Sequence, residues 1–375
     1  MKIPYVDLRK ANWPYRDLII NSVSDHLDSG SFVLSDSVLA FEKALADYIN
    51  AKYIVTVNSG TSALYLVLKC LGIGVGDEVI TVPNSYIATT TAICLLGAKP
   101  VFCDVGADGN IDSSRVEHLI NSRTKACLPV HLAGIPCDIA TLRNLCADKG
   151  IKMIEDAAQA LGSAHGERRI GSDSLACAFS LHPLKNLGLI GDGGFISTNS
   201  DKLYQELLLQ RNIGHKDRDT VIRWGHNMRL DGISCSIGIA KLKRLDEVVN
   251  SRNKLANNYL EHLPAAAEKP FVSQKNTNSW HTFVINTDYR DLLQKYLAEY
   301  GIDTRIHYRS LIYEQEAFTK SWGTIQRCTE AERRKNRILS LPIGEYLKEE
   351  EQTYIINCIK SFYKNLSRIK RAEKV

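Results

Sequence analysis

The sequence predicts an α/β protein with a large domain, built on a seven-stranded and mostly parallel sheet, and a smaller C-terminal α+β domain. Short β-branched runs alternate with helical segments between residues 53 and 198. Most of these runs are apolar throughout, which is typical of strands buried on both faces. After about residue 241 the pattern changes to a long amphipathic helix followed by mixed segments. We therefore expect a large domain over 1–240 and a small domain over 241–375.

The elements of the large domain follow from apolar periodicity. Helical spacing predicts helices over 16–29 and 38–50, after an irregular lead-in over 1–15. The predicted strands are 53–57, 78–82, 100–104, 125–131, 151–155, 175–180 and 194–198. In such sheets ligands bind at the carboxyl ends of the strands, so the residues that follow these strands are candidates for a functional site.

The smaller domain has a coarser pattern. A long helix is predicted over 241–263, and a last helix over 348–363. Between them we expect strands near 281–286 and 304–308. The basic tail that follows is interpreted as a solvated helix end rather than a binding segment.

Composition argues against several classes of protein. The net charge of +5 and a pI near 8.6 are only mildly basic, so a nucleic-acid partner is not expected. No apolar run is long enough to span a membrane, and the first residues lack the apolar core of a signal peptide. None of the ten cysteines forms a Cys-x-x-Cys pair, so we expect free thiols in a reducing cytoplasm and no metal site.

A small-residue turn follows the first strand, in the stretch 58–64. A turn of this kind at the start of a helix leaves free N–H groups and the positive end of the helix dipole, which suits a phosphate. Gly60 allows a close approach, and Thr61 offers a hydroxyl group. The ordinary alternative is a plain helix N-cap, and this motif by itself favours that alternative.

Two further strand ends carry side chains that suit a flat heteroaromatic ring. Tyr86 follows the strand at 78–82 and is able to stack on such a ring, although a core or interface tyrosine explains Tyr86 equally well. Asp156 follows the strand at 151–155, where a carboxylate can pair with a protonated ring nitrogen. Gln159 is placed to hydrogen-bond a ring oxygen. The alternative role for Asp156 is a helix N-cap.

A lysine and a serine follow the apolar run at 175–179. Ser180 ends the run and offers a hydroxyl for phosphate, and a glycine-rich turn comes after Lys185. A lone lysine is most often a solvated surface charge. A lysine at the end of a buried strand, however, is in a setting that lowers its pKa, as attack on an aldehyde requires.

Each of these motifs by itself is weak evidence for a cofactor site, but together they supply a matching set of cofactor-binding groups. A phosphate site, a stacking aromatic ring, a carboxylate for a ring nitrogen and a lysine lie on successive strand ends. Pyridoxal 5'-phosphate (PLP) needs these groups, so we predict that Lys185 holds PLP as a Schiff base. A dinucleotide-binding oxidoreductase would need Gly-x-Gly-x-x-Gly after the first strand, where this chain has only Asn-Ser-Gly-Thr.

The chain resembles the DegT/DnrJ/EryC1/StrS family of PLP-dependent sugar aminotransferases over nearly its whole length. The motifs that carry the resemblance are 59–64, 76–80, 97–102, 129–132, 154–159, Ser180 with 185–188, 211–214, 301–304, 307–308 and 339–343. The resemblance implies a PLP fold-type I architecture, like that of aspartate aminotransferase. It also implies transfer of an amino group from L-glutamate to a nucleotide-linked 3-keto or 4-keto sugar, in the biosynthesis of a glycan, an O-antigen or a natural product.

The resemblance also implies roles for individual residues. Lys185 would be the Schiff-base lysine and Asp156 the partner of the ring nitrogen. The remaining cofactor-binding residues would be Gly60, Thr61, Tyr86, Gln159, Ser180 and Asn227. Because Asn227 is similar to an asparagine that reaches the cofactor phosphate from the partner subunit, the resemblance implies a homodimer with active sites at the interface.

The sequence departs from the family pattern in two stretches. It has Ser-Cys-Ser at 234–236 where Gln-Ala-Ala is common, and Arg309 where a proline is usual. These stretches lie near the acceptor in relatives, so two alternatives stay open. One is an aminotransferase for a non-nucleotide ketone, such as a keto-cyclitol or a small phosphorylated ketone. The other is a catalytically silent regulatory or binding homologue, although Lys185, Asp156 and Tyr86 are all intact.

Overall fold

The structure is a computed structural model that describes residues 1–323 and 327–372. The strands are β1 (Tyr53–Val57), β2 (Glu78–Thr81), β3 (Lys99–Phe102), β4 (Thr124–Cys127), β5 (Lys152–Asp156), β6 (Ala164–His165), β7 (Arg168–Arg169), β8 (Ala176–Ser180), β9 (Gly194–Thr198), β10 (Asn276–Thr277), β11 (Phe283–Asn286) and β12 (Ile338–Leu341). The helices are α1 (Leu8–Asn12), α2 (Arg16–Ser29), α3 (Asp36–Ile49), α4 (Gly60–Cys70), α5 (Ala88–Cys94), α6 (Ser113–Val116), α7 (Ile139–Asp148), α8 (Asp201–Arg211), α9 (Gly232–Leu242), α10 (Leu245–His262), α11 (Arg290–Glu299), α12 (Glu316–Trp322), α13 (Thr329–Lys335), α14 (Glu349–Lys364) and α15 (Leu366–Ala372).

Seven of the described strands form one sheet in the order β1-β9-β8-β5-β4-β2-β3. Only β9 is antiparallel to its neighbours β1 and β8, and the other pairings are parallel. This topology confirms the predicted seven-stranded, mostly parallel sheet. Since β1, β2, β5 and β8 run in the same direction, their carboxyl ends meet at one edge of the sheet, where ligands bind in folds of this kind.

Helices cover the sheet on both faces because successive side chains of a strand point to opposite sides. On one face, Val55 and Val57 pack with the apolar side of α4. On the other face, Ile54 packs with residues of α3 and α9. β1 is buried on both sides for this reason, and its sequence Tyr-Ile-Val-Thr-Val does not alternate between apolar and charged residues.

A two-stranded antiparallel sheet of β11 and β12 lies in the C-terminal part of the chain, with α10, α11 and α14 around it. Ile3 belongs to the same hydrophobic cluster, and its backbone bridges to Ile302. The segment that contains Leu311 and Phe318 packs instead against residues of the large sheet. The division of the chain at residue 240 stays a prediction.

The structure corrects three local predictions. Residues 304–308 do not form a strand, because only Arg305 pairs with Ser340 and the chain then turns away. The partner of β11 is β12, whose four residues were too short a run to be recognised. The helix predicted over 241–263 is two helices that break after Leu242, and the lead-in contains α1, whose N-terminus is capped by the Asp7 side chain.

Candidate active site

A cavity of about 460 Å³ opens at the carboxyl edge of the large sheet. Seven of the eight residues that the sequence predicted for the cofactor line this cavity: Gly60, Thr61, Tyr86, Asp156, Gln159, Ser180 and Lys185. They come from segments up to 125 positions apart in the chain, and the sheet brings them together. The volume lies within the range of about 300–1,000 Å³ that is usual for small-molecule and cofactor sites.

Lys185 lies in the turn that follows β8. The turn is held by the Lys185 N–H, which donates to the His182 carbonyl at 2.8 Å, and by the Leu189 N–H, which donates to the Leu181 carbonyl at 2.9 Å. Burial lowers the pKa of Lys185 to about 8, and the nearby Asp156 carboxylate opposes this shift. The amine is therefore much easier to deprotonate than an exposed lysine, which suits a nucleophile.

Asp156 ends β5 and is 3% exposed. Its Oδ2 accepts a hydrogen bond of 2.7 Å from Thr89 Oγ1, and its Oδ1 accepts one of 3.1 Å from the Ala158 N–H. Burial raises the pKa of Asp156, and these two hydrogen bonds together with Lys185 oppose that rise. The carboxylate is thus held in place in a setting where a cationic ring nitrogen would be a favourable partner.

The first turn of α4 forms the corner that is suited to a phosphate. Ser59 caps the helix by accepting the Ser62 N–H at 3.0 Å, which leaves the earlier N–H groups of the turn without partners in the helix. A Cβ on Gly60 would lie 2.8 Å from the Ser180 Cβ, so only glycine lets the helix start this close to the end of β8. Gly60, Thr61 and Ser180 therefore form a compact cradle, and these residues fit a phosphate.

Tyr86 and Gln159 stand on other parts of the cavity wall. The Tyr86 side chain is 58% exposed, and its ring centroid lies 5.9 Å from that of Tyr308. Gln159 is 9% exposed, and its Oε1 accepts the Ala133 N–H at 2.7 Å. An aromatic face and an amide thus line the cavity, and their predicted contacts with a ring ligand stay a prediction.

Asn227 lies outside this cavity. Its backbone pairs with that of Asn212, and its side chain is exposed. The predicted role of Asn227 concerns the site of a partner subunit, so it stays a prediction.

The structure adds residues that the motifs did not identify. Thr89 lies three residues after Tyr86, but nothing in the local sequence signals its contact with Asp156. His281 and His307 line the cavity near Lys185, and burial lowers the pKa of His281 well below its usual range and that of His307 to about 4. Both imidazoles are therefore neutral at physiological pH. His281 belongs to no motif, whereas His307 was recognised only as part of the resemblance.

Comparison with known proteins decides the family. A family model described as the DegT/DnrJ/EryC1/StrS aminotransferase family matches residues 15–360. The chain belongs to this family.

Three similar proteins illustrate the match. The erythromycin biosynthesis sensory transduction protein EryC1 of Saccharopolyspora erythraea is 36% identical over 367 residues, which cover 96% of this chain and 100% of that protein. The dTDP-3-amino-3,4,6-trideoxy-alpha-D-glucose transaminase of Streptomyces venezuelae is 36% identical over 364 residues, which cover 96% of both chains. The crystal structure of S. venezuelae DesV in complex with a ketimine intermediate matches with a TM-score of 0.93 at 36% identity, over 96% of this chain and 98% of that chain.

Family membership confirms the predicted fold class and the predicted activity class, so this protein is a transaminase. Structures of other relatives contain the cofactor as PLP or as its aminated form, PMP, and the cofactor of this chain is PLP. None of the helices in the two described ranges combines the length and the hydropathy that a membrane-spanning segment needs.

Proposed function

We propose that this transaminase moves an amino group from L-glutamate to a nucleotide-linked 3-keto or 4-keto sugar, for the biosynthesis of a glycan, an O-antigen or a natural product. The observation that carries the proposal is the convergence of Lys185, Asp156 and the first turn of α4 on one cavity. The S. venezuelae relative named as a dTDP-sugar transaminase supports the acceptor class.

Each cavity residue has a part in this proposal. PLP, when bound, supplies an aldehyde carbon and an electron-withdrawing ring. Lys185 holds the cofactor and later moves a proton, because its lowered pKa leaves a larger fraction of the amine unprotonated near neutral pH than in an exposed lysine. Asp156 pairs with the ring nitrogen, and Gln159 donates to the ring oxygen. The residues that hold the phosphate and stack on the ring are Gly60, Thr61, Ser180 and Tyr86.

The proposal includes a homodimer in which Asn227 completes the site of the partner subunit. The segment around Asn227 exposes a group of large apolar side chains, which is typical of an interaction surface. Trp224 is 90% exposed, Ile222 49% and Val221 47%. Replacement of Trp224 by Asp is expected to weaken the dimer. Light scattering coupled to size exclusion measures the mass of both proteins, and a wild-type monomer would contradict this part of the proposal.

The cytoplasm is the proposed compartment. Each of the ten cysteines lies in the described part of the chain and is free. Free and mostly buried thiols are usual in reducing compartments.

One measurement tests the first half of the reaction. The visible absorption spectrum of the PLP-loaded protein is recorded before and after addition of L-glutamate, beside that of Lys185→Ala. The proposal expects a visible band in the wild type that glutamate converts to a band at shorter wavelength, and no protein-linked band in Lys185→Ala. An identical band in the variant would show that another residue holds the cofactor.

The second half of the reaction separates the acceptor classes. The aminated protein is mixed with a nucleotide-linked keto sugar, and in parallel with a keto-cyclitol and a small phosphorylated ketone. Return of the original visible band with the nucleotide sugar supports the proposal. Return only with the other ketones supports the first alternative, and a protein that binds PLP but never responds to glutamate or a ketone supports a silent regulatory homologue.

A further inference from the structure

A buried asparagine holds both ends of a short turn that faces Gln159. Asn110 is 1% exposed, and its side-chain oxygen accepts the Leu132 N–H at 3.0 Å. Its side-chain nitrogen donates to the Ile135 carbonyl, also at 3.0 Å. The same nitrogen lies 3.4 Å from Asp108 Oδ2. The side-chain amide of Asn110 therefore bonds both the first and the last residue of the turn from Leu132 to Ile135.

The middle of this turn has a backbone conformation that needs support. Ala133 has a φ of 60°, in the left-handed region that residues with a side chain rarely adopt. Such a conformation persists when the surroundings hold it. Gly134, the next residue, helps to hold this conformation, because its carbonyl accepts hydrogen bonds from the Ser163 hydroxyl at 2.8 Å and from the Ser279 N–H at 3.1 Å. The turn is thus fixed from several sides.

The fixed turn determines which end of the Gln159 amide faces the ligand. The Ala133 N–H donates to Gln159 Oε1 at 2.7 Å, so the oxygen of the amide is occupied by the protein. The nitrogen of the amide then lies on the other side, where a hydrogen bond with Gln159 partly opposes the rise that burial causes in the pKa of Tyr308. The side chain therefore presents an N–H donor, and not an acceptor, to the cavity.

We propose that Asn110 is a positioning residue for the reaction, because it holds the 132–135 turn and thereby keeps the N–H group of Gln159 directed at the ring oxygen of PLP. Asn110 itself does not line the cavity that contains Lys185. The inference rests on the proposed function, in which Gln159 donates to that oxygen. An N–H group that faces an anionic oxygen stabilises the deprotonated state of the bound cofactor. Loss of this donor leaves the proton bound up to a higher pH.

The test is a spectroscopic pH titration of PLP-loaded protein, read as the midpoint of the change in its visible band. The proteins are the wild type, Asn110→Ala, Gln159→Ala and the double variant. Asn110→Asp is a second variant that keeps an acceptor for the Leu132 N–H but loses the donor to Ile135, and it serves if the alanine variant does not fold. Gln352→Ala is the matched control. Gln352 is 1% exposed, and its side chain bonds Leu255 and Asn258 in the C-terminal core.

We expect Gln159→Ala and Asn110→Ala to raise the midpoint in the same direction, each by about half a pH unit or more, and the double variant to shift no further than Gln159→Ala. Gln352→Ala is expected to lower stability without moving the midpoint. The inference is overturned if the Asn110 variants keep the wild-type midpoint, or if the two shifts add. A wild type without any pH-dependent visible band would instead overturn the proposed function, and the inference with it.

Discussion

Thr89 Oγ1 donates a hydrogen bond of 2.7 Å to Asp156 Oδ2, inside the cavity and out of contact with bulk water. The bond links α5 to the end of β5, two elements that are 67 positions apart at these residues. A hydrogen bond that is accepted by a carboxylate favours its charged form. Thr89 therefore favours the charged form of Asp156, which the proposed pairing with a cationic ring nitrogen requires.

Replacement of Thr89 by Val removes this hydrogen bond with little change of shape. The pKa of Asp156 is expected to rise, so PLP affinity falls by about tenfold, which is about 1.4 kcal/mol. The loss grows as the pH falls, because the carboxyl group then becomes protonated more readily. Titration of each protein with PLP at two pH values measures this loss of PLP affinity. Thr91→Val is the control, because the Thr91 hydroxyl donates to the carbonyl of Ile87, the residue just before α5. Equal losses in both variants would contradict the prediction.

The lowered pKa of Lys185 predicts that this residue destabilises the apo protein. Since burial lowers the pKa from 10.5 to about 8, replacement of Lys185 by Met is expected to raise the free energy of unfolding at pH 7 by about 3 kcal/mol. Between the two pKa values the unfolded chain binds more protons than the folded one. Wild-type stability therefore rises with pH from about 8 towards 10.5, and the advantage of the variant shrinks over that range.

Urea denaturation of the apo proteins at a series of pH values measures this difference. Lys125→Met, at an exposed position of β4, is the control and is expected to change the unfolding free energy little. If the unfolding free energy of Lys185→Met exceeded that of the wild type by the same amount at every pH, the lysine would not be held below its usual pKa.

Gly60→Ala is expected to disrupt the proposed phosphate cradle of Gly60, Thr61 and Ser180. The new Cβ would meet the Ser180 Cβ at 2.8 Å and its Cα at 3.2 Å, so the start of α4 must move away from β8. We expect PLP affinity to fall by about tenfold or more, because the N–H groups of the turn no longer converge on one point. Gly74→Ala has only a contact of 3.9 Å with the Leu96 carbonyl and should bind PLP as the wild type does. Unchanged PLP affinity in Gly60→Ala would remove Gly60 from the proposed cradle.

The ion pair of Arg211 and Glu42 predicts a strongly coupled pair of substitutions. Both side chains are buried, at 6% and 8% exposure, and Glu42 Oε1 also accepts the Thr56 N–H at 2.8 Å. Arg211→Met leaves a buried carboxylate without its cation, so we expect a loss of about 3–5 kcal/mol in unfolding free energy. The double variant Arg211→Met/Glu42→Leu should lose less than the two single losses combined. Denaturant unfolding of the four proteins tests this, and additive losses would show that the pair is not coupled.

Much of the fold follows from local pattern. The apolar runs predicted the strands of the large sheet to within a few residues, because a strand that is buried on both faces must be apolar on both faces. The antiparallel direction of β9 was not visible in the same way. Its residues Gly194–Thr198 are all buried, as in a central parallel strand, and only the pairing with β1 and β8 shows the direction.

The sequence by itself determined the class of fold and the family. It also predicted site residues of distinctive chemistry, such as Lys185 and Asp156, which the structure places in one cavity. The tertiary structure alone decided which residues support them. Thr89 contacts Asp156, which lies 67 positions later in the sequence. Asn110 holds the turn that faces Gln159 through hydrogen bonds to residues 22 and 25 positions later. The physical reason is that periodicity reports only whether a position is buried. Hydrogen bonds between distant segments depend instead on strand order and packing, which no local pattern encodes.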